Sequence, residues 1–190
     1  MPFTPFHLGP GLAFKALGGK YFSIVIFGIT QVAIDIEPLV GLFCGSGELH
    51  GVTHTYLGAT VIAGIGWLFS TPIYRVILTR WNREVEHYGF TSLRFPVSMR
   101  QLPIAISAFT GSYSHIILDS IMHFDAKPFS PFFNTNSLYN ICSIEKLHWL
   151  CVALGFAGIC IWLIKYLSIR FKSPIKSIKT LSRSFGQKPF

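Results

Sequence analysis

The stretch ELHGVTHTYLGATVIAGIGWLF (residues 48–69) places two histidines, His50 and His54, directly before a run of apolar and small residues. The apolar character extends over residues 56–78, which is enough to cross a bilayer because a spanning helix needs about 20 residues. Imidazoles at the entrance to such a helix need an explanation, since polar side chains are costly close to lipid. The stretch therefore predicts a membrane helix with a polar site at one end.

The whole chain shares this apolar composition. Of its 190 residues, 51% are hydrophobic and 13% are charged, and the mean hydropathy is +0.49, whereas globular domains carry about 25% charged residues. Apolar blocks of spanning length cover residues 21–43, 56–78, 102–123 and 147–169. The chain is therefore predicted to form an all-α, multi-pass membrane bundle of four spans plus a short N-terminal half-span helix, with a membrane domain over residues 1–170 and a basic tail over residues 171–190.

The basic residues predict the orientation of this bundle. The formal net charge is +8, and the basic residues concentrate in the loop 79–101 and in the C-terminal tail. Under the positive-inside rule both segments face the cytoplasm, and the segments 44–55 and 124–146 face outward. The lipid bilayer is therefore the predicted partner. The positive net charge follows from the orientation in the membrane and does not require a nucleic-acid partner.

A second polar stretch, SYSHIILDSIMHFD (residues 112–125), lies in the third apolar block. Residues four apart share one helical face, so His115, Asp119 and approximately His123 form one stripe. Asp35 lies at a similar height on the first block, counting 1.5 Å per residue. With His50 and His54, these side chains are expected to converge on one layer near the outer surface.

His7 belongs to this layer only under one of two arrangements. The segment from about residue 5 to residue 17 predicts a short apolar helix. If this helix is a half-span that dips back from the outer side, His7 reaches the layer. If the helix lies flat on the inner surface, His7 is excluded.

The donor set predicts a metal site. Neutral imidazoles and carboxylates suit a divalent ion such as zinc, with manganese or iron as alternatives, and the sequence lacks the paired cysteines of closed structural zinc sites. One or two ions are expected. His50 and Glu37 are candidate acid–base groups, with His123 and Asp125 supporting the ligands. Glu37 could instead orient neighbours of Asp35 or face headgroups.

Two other functions use the same residues. A cation or proton transporter would use the buried aspartates as a relay, but the sequence offers few polar groups further inward. A haem protein would use two facing histidines, although the interleaved carboxylates suit an ion better than a porphyrin. A metal-binding membrane protein without catalytic activity is the third alternative.

Four motifs in order, PFTPFHLGPG, QVAIDIEP, LHGVTHTYLGA and SHIILDSIMHFDAKPFSPF, resemble the YdjM-like family of bacterial inner-membrane metal-dependent hydrolases. The likeness extends to about residue 165. It implies a multi-pass helical protein of the bacterial inner membrane with a cytoplasmic C-terminus. The metal-ligand positions that it implies are His7, Asp35, His54, His115 and Asp119.

The order of these ligands is also similar to the first half of the pattern in zinc-dependent phospholipase C. That similarity implies hydrolysis of a phosphoester, with a lipid or lipid-linked substrate. The chain departs from the pattern later, because Val152 stands four residues after His148, where those enzymes have an acid. One or two ions are therefore expected rather than three.

Overall fold

The computed structural model describes residues 5–45 and 50–185, and for residues 169–185 it describes the backbone alone. Within these ranges the chain forms five α-helices and no strand, which confirms the all-α prediction. The helices are α1 (Leu8–Gly18), α2 (Ile24–Cys44), α3 (Tyr56–His87), α4 (Gln101–Met122) and α5 (Ile144–Phe185). The predicted basic tail, residues 171–190, begins inside α5, and its side chains lie outside the described residues.

Among the residues that the structure describes, three helices are long and apolar enough to cross a membrane, which corrects the predicted four spans and half-span. They are Ile24–Cys44, Tyr56–His87 and, within α5, Ile144–Ser168. Helix α4 has the length, but its buried face carries many polar side chains, which lowers its hydropathy: Ser107, Ser112, His115, Asp119 and Ser120. Helix α1 has 11 residues and extends only about 16 Å.

Local capping sets where the helices begin and end. The Ser23 side chain accepts a hydrogen bond from the backbone N–H of Ile26 and so begins α2. Gly45, with φ of 69°, ends that helix in the left-handed region that favours glycine. The Thr55 hydroxyl accepts from the Gly58 N–H at 2.9 Å and begins α3, so that His54 lies in the short turn just before the helix.

Helices α2, α3 and α4 pack on one another, and α5 packs mainly against α1. Glycine permits the closest approach of α4 to α2, because a Cβ at Gly111 would lie 2.6 Å from the Phe27 carbonyl oxygen. A Cβ at Gly158 would likewise lie 2.5 Å from the Leu12 backbone, so glycine brings α5 onto α1. The close packing fixes the relative heights of side chains on neighbouring helices.

The bundle has two ends of different character. Helices α2 and α4 run parallel, since the Ser23 N–H near the start of α2 donates to Ser107 Oγ near the start of α4 at 2.8 Å. We call this the basic end, because Lys15, Lys20 and Arg100 line a cavity of about 740 Å³ there. The opposite end, where α2 and α4 finish and α3 begins, is the histidine end.

Candidate metal centre

Four buried side chains converge near the histidine end. Asp35 comes from α2, His54 from the turn before α3, and His115 and Asp119 from α4. One donor atom from each residue lies within 4.8 Å of the donor atoms of the other three. Their exposed fractions are 7%, 1%, 1% and 5%, respectively, so the group is shielded from bulk water.

The imidazole nitrogens face the carboxylate oxygens. Nε2 of His54 and Nε2 of His115 each lie 3.1 Å from Oδ2 of Asp119. Nε2 of His115 also lies 3.2 Å from Oδ1 of Asp35, and the corresponding distance from His54 is 3.8 Å. The two carboxylates and two imidazoles therefore surround one common point.

The helical period and one tight turn bring the group together. His115 and Asp119 are four residues apart on α4, so they project from the same face. His54 lies in the 3-10 turn Val52–His54, which folds back closely onto α3. A Cβ at Gly58 would collide with the Val52 carbonyl oxygen, so this close return requires glycine.

Glu37 holds that turn in place. Its carboxylate accepts hydrogen bonds from the backbone N–H groups of Val52 and Thr53, at 3.1 and 2.8 Å, and it also contacts the Thr53 hydroxyl. Glu37 therefore positions the segment that carries His54. Of the roles predicted for it from the sequence, the contacts favour the orienting one.

Thr53 also contacts the ring of His54. Its Oγ1 lies 3.1 Å from Nδ1 of His54 and in contact with the Glu37 carboxylate. The hydroxyl has one proton, and a hydroxyl that donates to Glu37 can accept from Nδ1–H. In the tautomer with the proton on Nδ1, the lone pair is on Nε2 and is directed at the carboxylates. Histidines that bind metals commonly have this arrangement, in which the nitrogen that does not bind the metal donates to a neighbouring group.

The residues present fit a divalent cation. Nε2 of His54 and Nε2 of His115 are buried and have no well-formed hydrogen bond to any residue that the structure describes. Two carboxylates in a buried place are costly when ionised and unpaired. A divalent cation would satisfy both kinds of atom, because imidazole and carboxylate are its usual ligands.

His7 reaches this group from another side. It is 4% exposed, and its Nε2 lies 3.5 Å from Oδ1 of Asp119, the oxygen opposite the one that faces His54 and His115. The Gln31 side chain donates to the His7 carbonyl at 3.2 Å. The structure thus brings His7 to the layer of the buried group, although His7 is outside the group of four.

A second polar group adjoins the first. Nδ1 of His50 lies 2.8 Å from Oδ2 of Asp125, and the rings of His50 and His123 lie 4.2 Å apart at 31°. Burial lowers the pKa of His123. Burial raises the pKa of Asp125, but the hydrogen bond with His50, the charges of His50 and His123 and a backbone hydrogen bond together outweigh it, so the net direction is downward. These three predicted residues therefore act on one another, and the ring of His50 contacts the ring of His54 in the main group.

Sequence reasoning missed the residues that support the site. Thr53 and Gln31 hold His54 and His7, and Asn136 donates to the His123 carbonyl at 3.1 Å and so closes the end of α4. Thr53 could have been found from its place inside GVTHT, next to a predicted ligand. Gln31 and Asn136 are separated from their partners along the chain, by 24 and 13 residues, and nothing in their spacing indicates the contact.

Comparisons of the chain with known protein families, with curated proteins and with solved structures give no match. Family membership thus stays a prediction from the motifs. The class of protein that the fold and the site define is an all-α, membrane-type helical protein with a buried histidine–aspartate group able to hold a metal ion.

Proposed function

We propose that the chain is a metal-dependent hydrolase of the bacterial inner membrane, acting at the extracytoplasmic face on a phosphoester or a similar bond. One observation carries the proposal: two imidazoles and two carboxylates, all buried, direct their donor atoms at one another. The motif resemblance supports the same reaction class. Zinc is the favoured ion, since imidazole and carboxylate in a site without cysteine are typical of catalytic zinc centres.

The residues at the proposed site have different roles. Asp35, His54, His115 and Asp119 would hold the ion, and when bound it would lower the pKa of a coordinated water and polarise the bond to be cleaved. His7 contacts the far oxygen of Asp119 and so limits how that carboxylate can rotate. Burial of the group keeps bulk water away from the reacting bond.

The distribution of charge supports an outward-facing site. Arg100 and Lys20 lie at the basic end, whereas the histidine–aspartate group lies toward the other end. Because basic segments are retained in the cytoplasm, we place the basic end and the C-terminal tail inside and the histidine end outside.

Exposed aromatic side chains support a lipid or lipid-linked substrate. Phe124, Phe132 and Phe133 in the loop after α4 are 78%, 74% and 67% exposed, and this loop begins at the residues that adjoin the site. Aromatic residues at the edge of a membrane protein favour the headgroup layer. A substrate anchored in the bilayer would reach the site from this layer.

Transport is the second candidate, and the packing below the site argues against it. Between the site and the basic end, Ile26, Phe27 and Ile104 are 0–1% exposed and fill the space between the helices. Thr30, also buried there, donates its hydroxyl to backbone carbonyls of its own helix. A cation would meet an apolar barrier on its way inward.

Hydrolysis of lipid phosphoesters and soluble aryl phosphoesters by the purified protein in lipid nanodiscs, loaded with zinc or manganese, tests the proposal. We expect turnover that chelation abolishes and that His115→Ala lowers by more than about 100-fold. His87→Ala, at an exposed histidine in the last turn of α3, is the matched control and should retain full activity.

Two results would contradict the proposal. One is a metal-loaded protein that cleaves nothing in the panel. The other is cation flux into proteoliposomes that Asp119→Asn abolishes, which would make the chain a transporter.

A further inference from the structure

We propose that His50, His123 and Asp125 form a second divalent-cation site at the rim of the histidine end, beside the buried group of four. One donor atom from each of these residues lies within 4.8 Å of the other two. The chemical role of this site rests on the proposed hydrolase function, because its ion would bind an anionic oxygen of the same substrate. The binding of the ion itself does not depend on that function.

The donor atoms have the chemistry of a cation site. Nδ1 of His50 and Oδ2 of Asp125 share one hydrogen at 2.8 Å. A cation there would use the lone pairs of both atoms, with the imidazole proton on Nε2 of His50 instead of Nδ1. The ring of His123 lies 4.2 Å from the ring of His50, so a third imidazole lies beside these two donors.

The backbone holds these donors in place. The His123 N–H continues the helical pattern of α4 by donating to the Asp119 carbonyl at 2.8 Å. The Asn136 side chain donates to the carbonyls of Ser120 and His123, at 2.9 and 3.1 Å. His50 is 7% exposed in its side chain and lies with its ring edge-on to His54, at 4.8 Å between centroids. The second group therefore needs no large rearrangement to bind an ion.

The two groups differ in access. The Asp125 side chain is 31% exposed, whereas the side chains of Asp35 and Asp119 are 10% and 7% exposed. With three protein donors, the rim site would leave coordination positions for water or for substrate oxygens. An ion at the rim should also bind more weakly, because it is more hydrated and is repelled by the ion in the buried group.

The ligand role competes with the acid–base role that the sequence suggests for His50. Both roles use Nδ1 of His50, the nitrogen that faces Asp125. An acid–base pair needs only these two residues, and it does not explain why the ring of His123 also lies against them. Convergence of three donors therefore favours the ligand role.

Zinc titration of the metal-free full-length protein in detergent, with zinc bound per chain measured after equilibrium dialysis, tests this proposal. The wild type should bind two ions in two phases. Asp125→Asn and His123→Gln should each bind one ion, with the tight phase unchanged, and Asp35→Asn should lose the tight phase. His87→Ala should bind two ions. The retained tight phase also shows that the rim variants are folded.

The outcomes separate this site from the buried one. If the wild type binds one ion and Asp125→Asn still binds it, the rim site is overturned and the buried centre remains. If the wild type binds one ion that Asp125→Asn loses and Asp35→Asn keeps, the rim site is supported and the buried centre is overturned. A wild type that binds no zinc would overturn both.

Discussion

Ser107 and Asn82 at the basic end make hydrogen bonds of a kind that the buried imidazoles near the histidine end lack. At the basic end, Ser107 Oγ donates to the Pro103 carbonyl at 2.7 Å and accepts from the Ser23 N–H at 2.8 Å. The Asn82 side chain both donates to and accepts from the backbone of Phe95. Toward the histidine end, by contrast, Nε2 of His54 and both ring nitrogens of His115 lack a well-formed hydrogen bond within residues 5–45 and 50–185.

This difference separates polar groups that hold the fold from polar groups that can bind a ligand. A buried polar atom that makes its hydrogen bonds contributes to stability, and binding an ion would disrupt those bonds. A buried polar atom without a partner costs free energy, and it persists where something outside the chain satisfies it. Burial alone would not tell Ser107 from His115, because both are 0–1% exposed.

The largest expected effect follows from removing a charge of the buried group. Zinc should raise the unfolding temperature of the wild type, because a ligand at about 100 times its dissociation constant stabilises by roughly 2.7 kcal/mol. Asp119→Asn should remove most of this rise and leave only the smaller part that the rim site contributes. Thermal unfolding in detergent, with and without zinc, measures both effects.

The control for this prediction is Glu86→Gln, which removes an acid from an exposed ion pair with Arg94 at 3.6 Å. It should leave the zinc-dependent rise unchanged. A zinc-dependent rise that is as large in Asp119→Asn as in the wild type would remove the distinction between the two ends.

An intermediate effect is expected at Glu37, which supports a ligand without facing the ion. Glu37→Gln weakens the hydrogen bonds to the turn that carries His54, and such outer contacts contribute about 10–100-fold to metal affinity. We expect zinc affinity to fall by about 10-fold while kcat of the zinc-saturated enzyme changes little. Zinc titration followed by rate measurement at saturation tests both.

Glu145→Gln, at an exposed acid in the first turn of α5, is the matched control and should change neither quantity. The opposite pattern, with kcat reduced and zinc affinity intact, would make Glu37 a catalytic base and return it to the acid–base role open from the sequence.

The smallest effect is expected at the basic end. Ser107→Ala removes the hydroxyl that donates to the Pro103 carbonyl and accepts from the Ser23 N–H. The loss should lower the free energy of unfolding by about 1 kcal/mol. Zinc binding should stay unchanged, because this hydroxyl contributes only to the packing of α2 and α4. Thermal unfolding and zinc titration of the same preparation check the pair of results, and loss of zinc binding with stability retained would show that the two ends are coupled.

Much of the site could be predicted from sequence because its strongest signals are local. The i,i+4 spacing of His115 and Asp119 follows from the helical period, and an acid in an apolar block indicates a partner or a wet cavity. Asp35 and His54 were expected at the same height by counting along the helices. The structure brings these four together.

The rest depended on contacts between distant segments. The predicted number of spans was wrong because the buried face of α4 carries the polar side chains of the site, which lower the mean hydropathy of that helix. Hydropathy along a single helix does not show which face is buried. Glu37 had several possible roles until the structure placed the turn Val52–His54 against it. The pairing of His50 with Asp125 joins residues 75 apart, which spacing alone does not indicate.

The amino-acid sequence by itself determined that this chain is helical, apolar enough for a membrane, and supplied with imidazoles and carboxylates near one end. Only the tertiary structure decided which oxygen of Asp119 meets His7, which acid holds the turn before α3, and that the donors form two adjacent groups. The physical reason is that helical period and composition act within one segment. Distances of 3 Å between segments depend on how closely the helices pack, here through glycines such as Gly111.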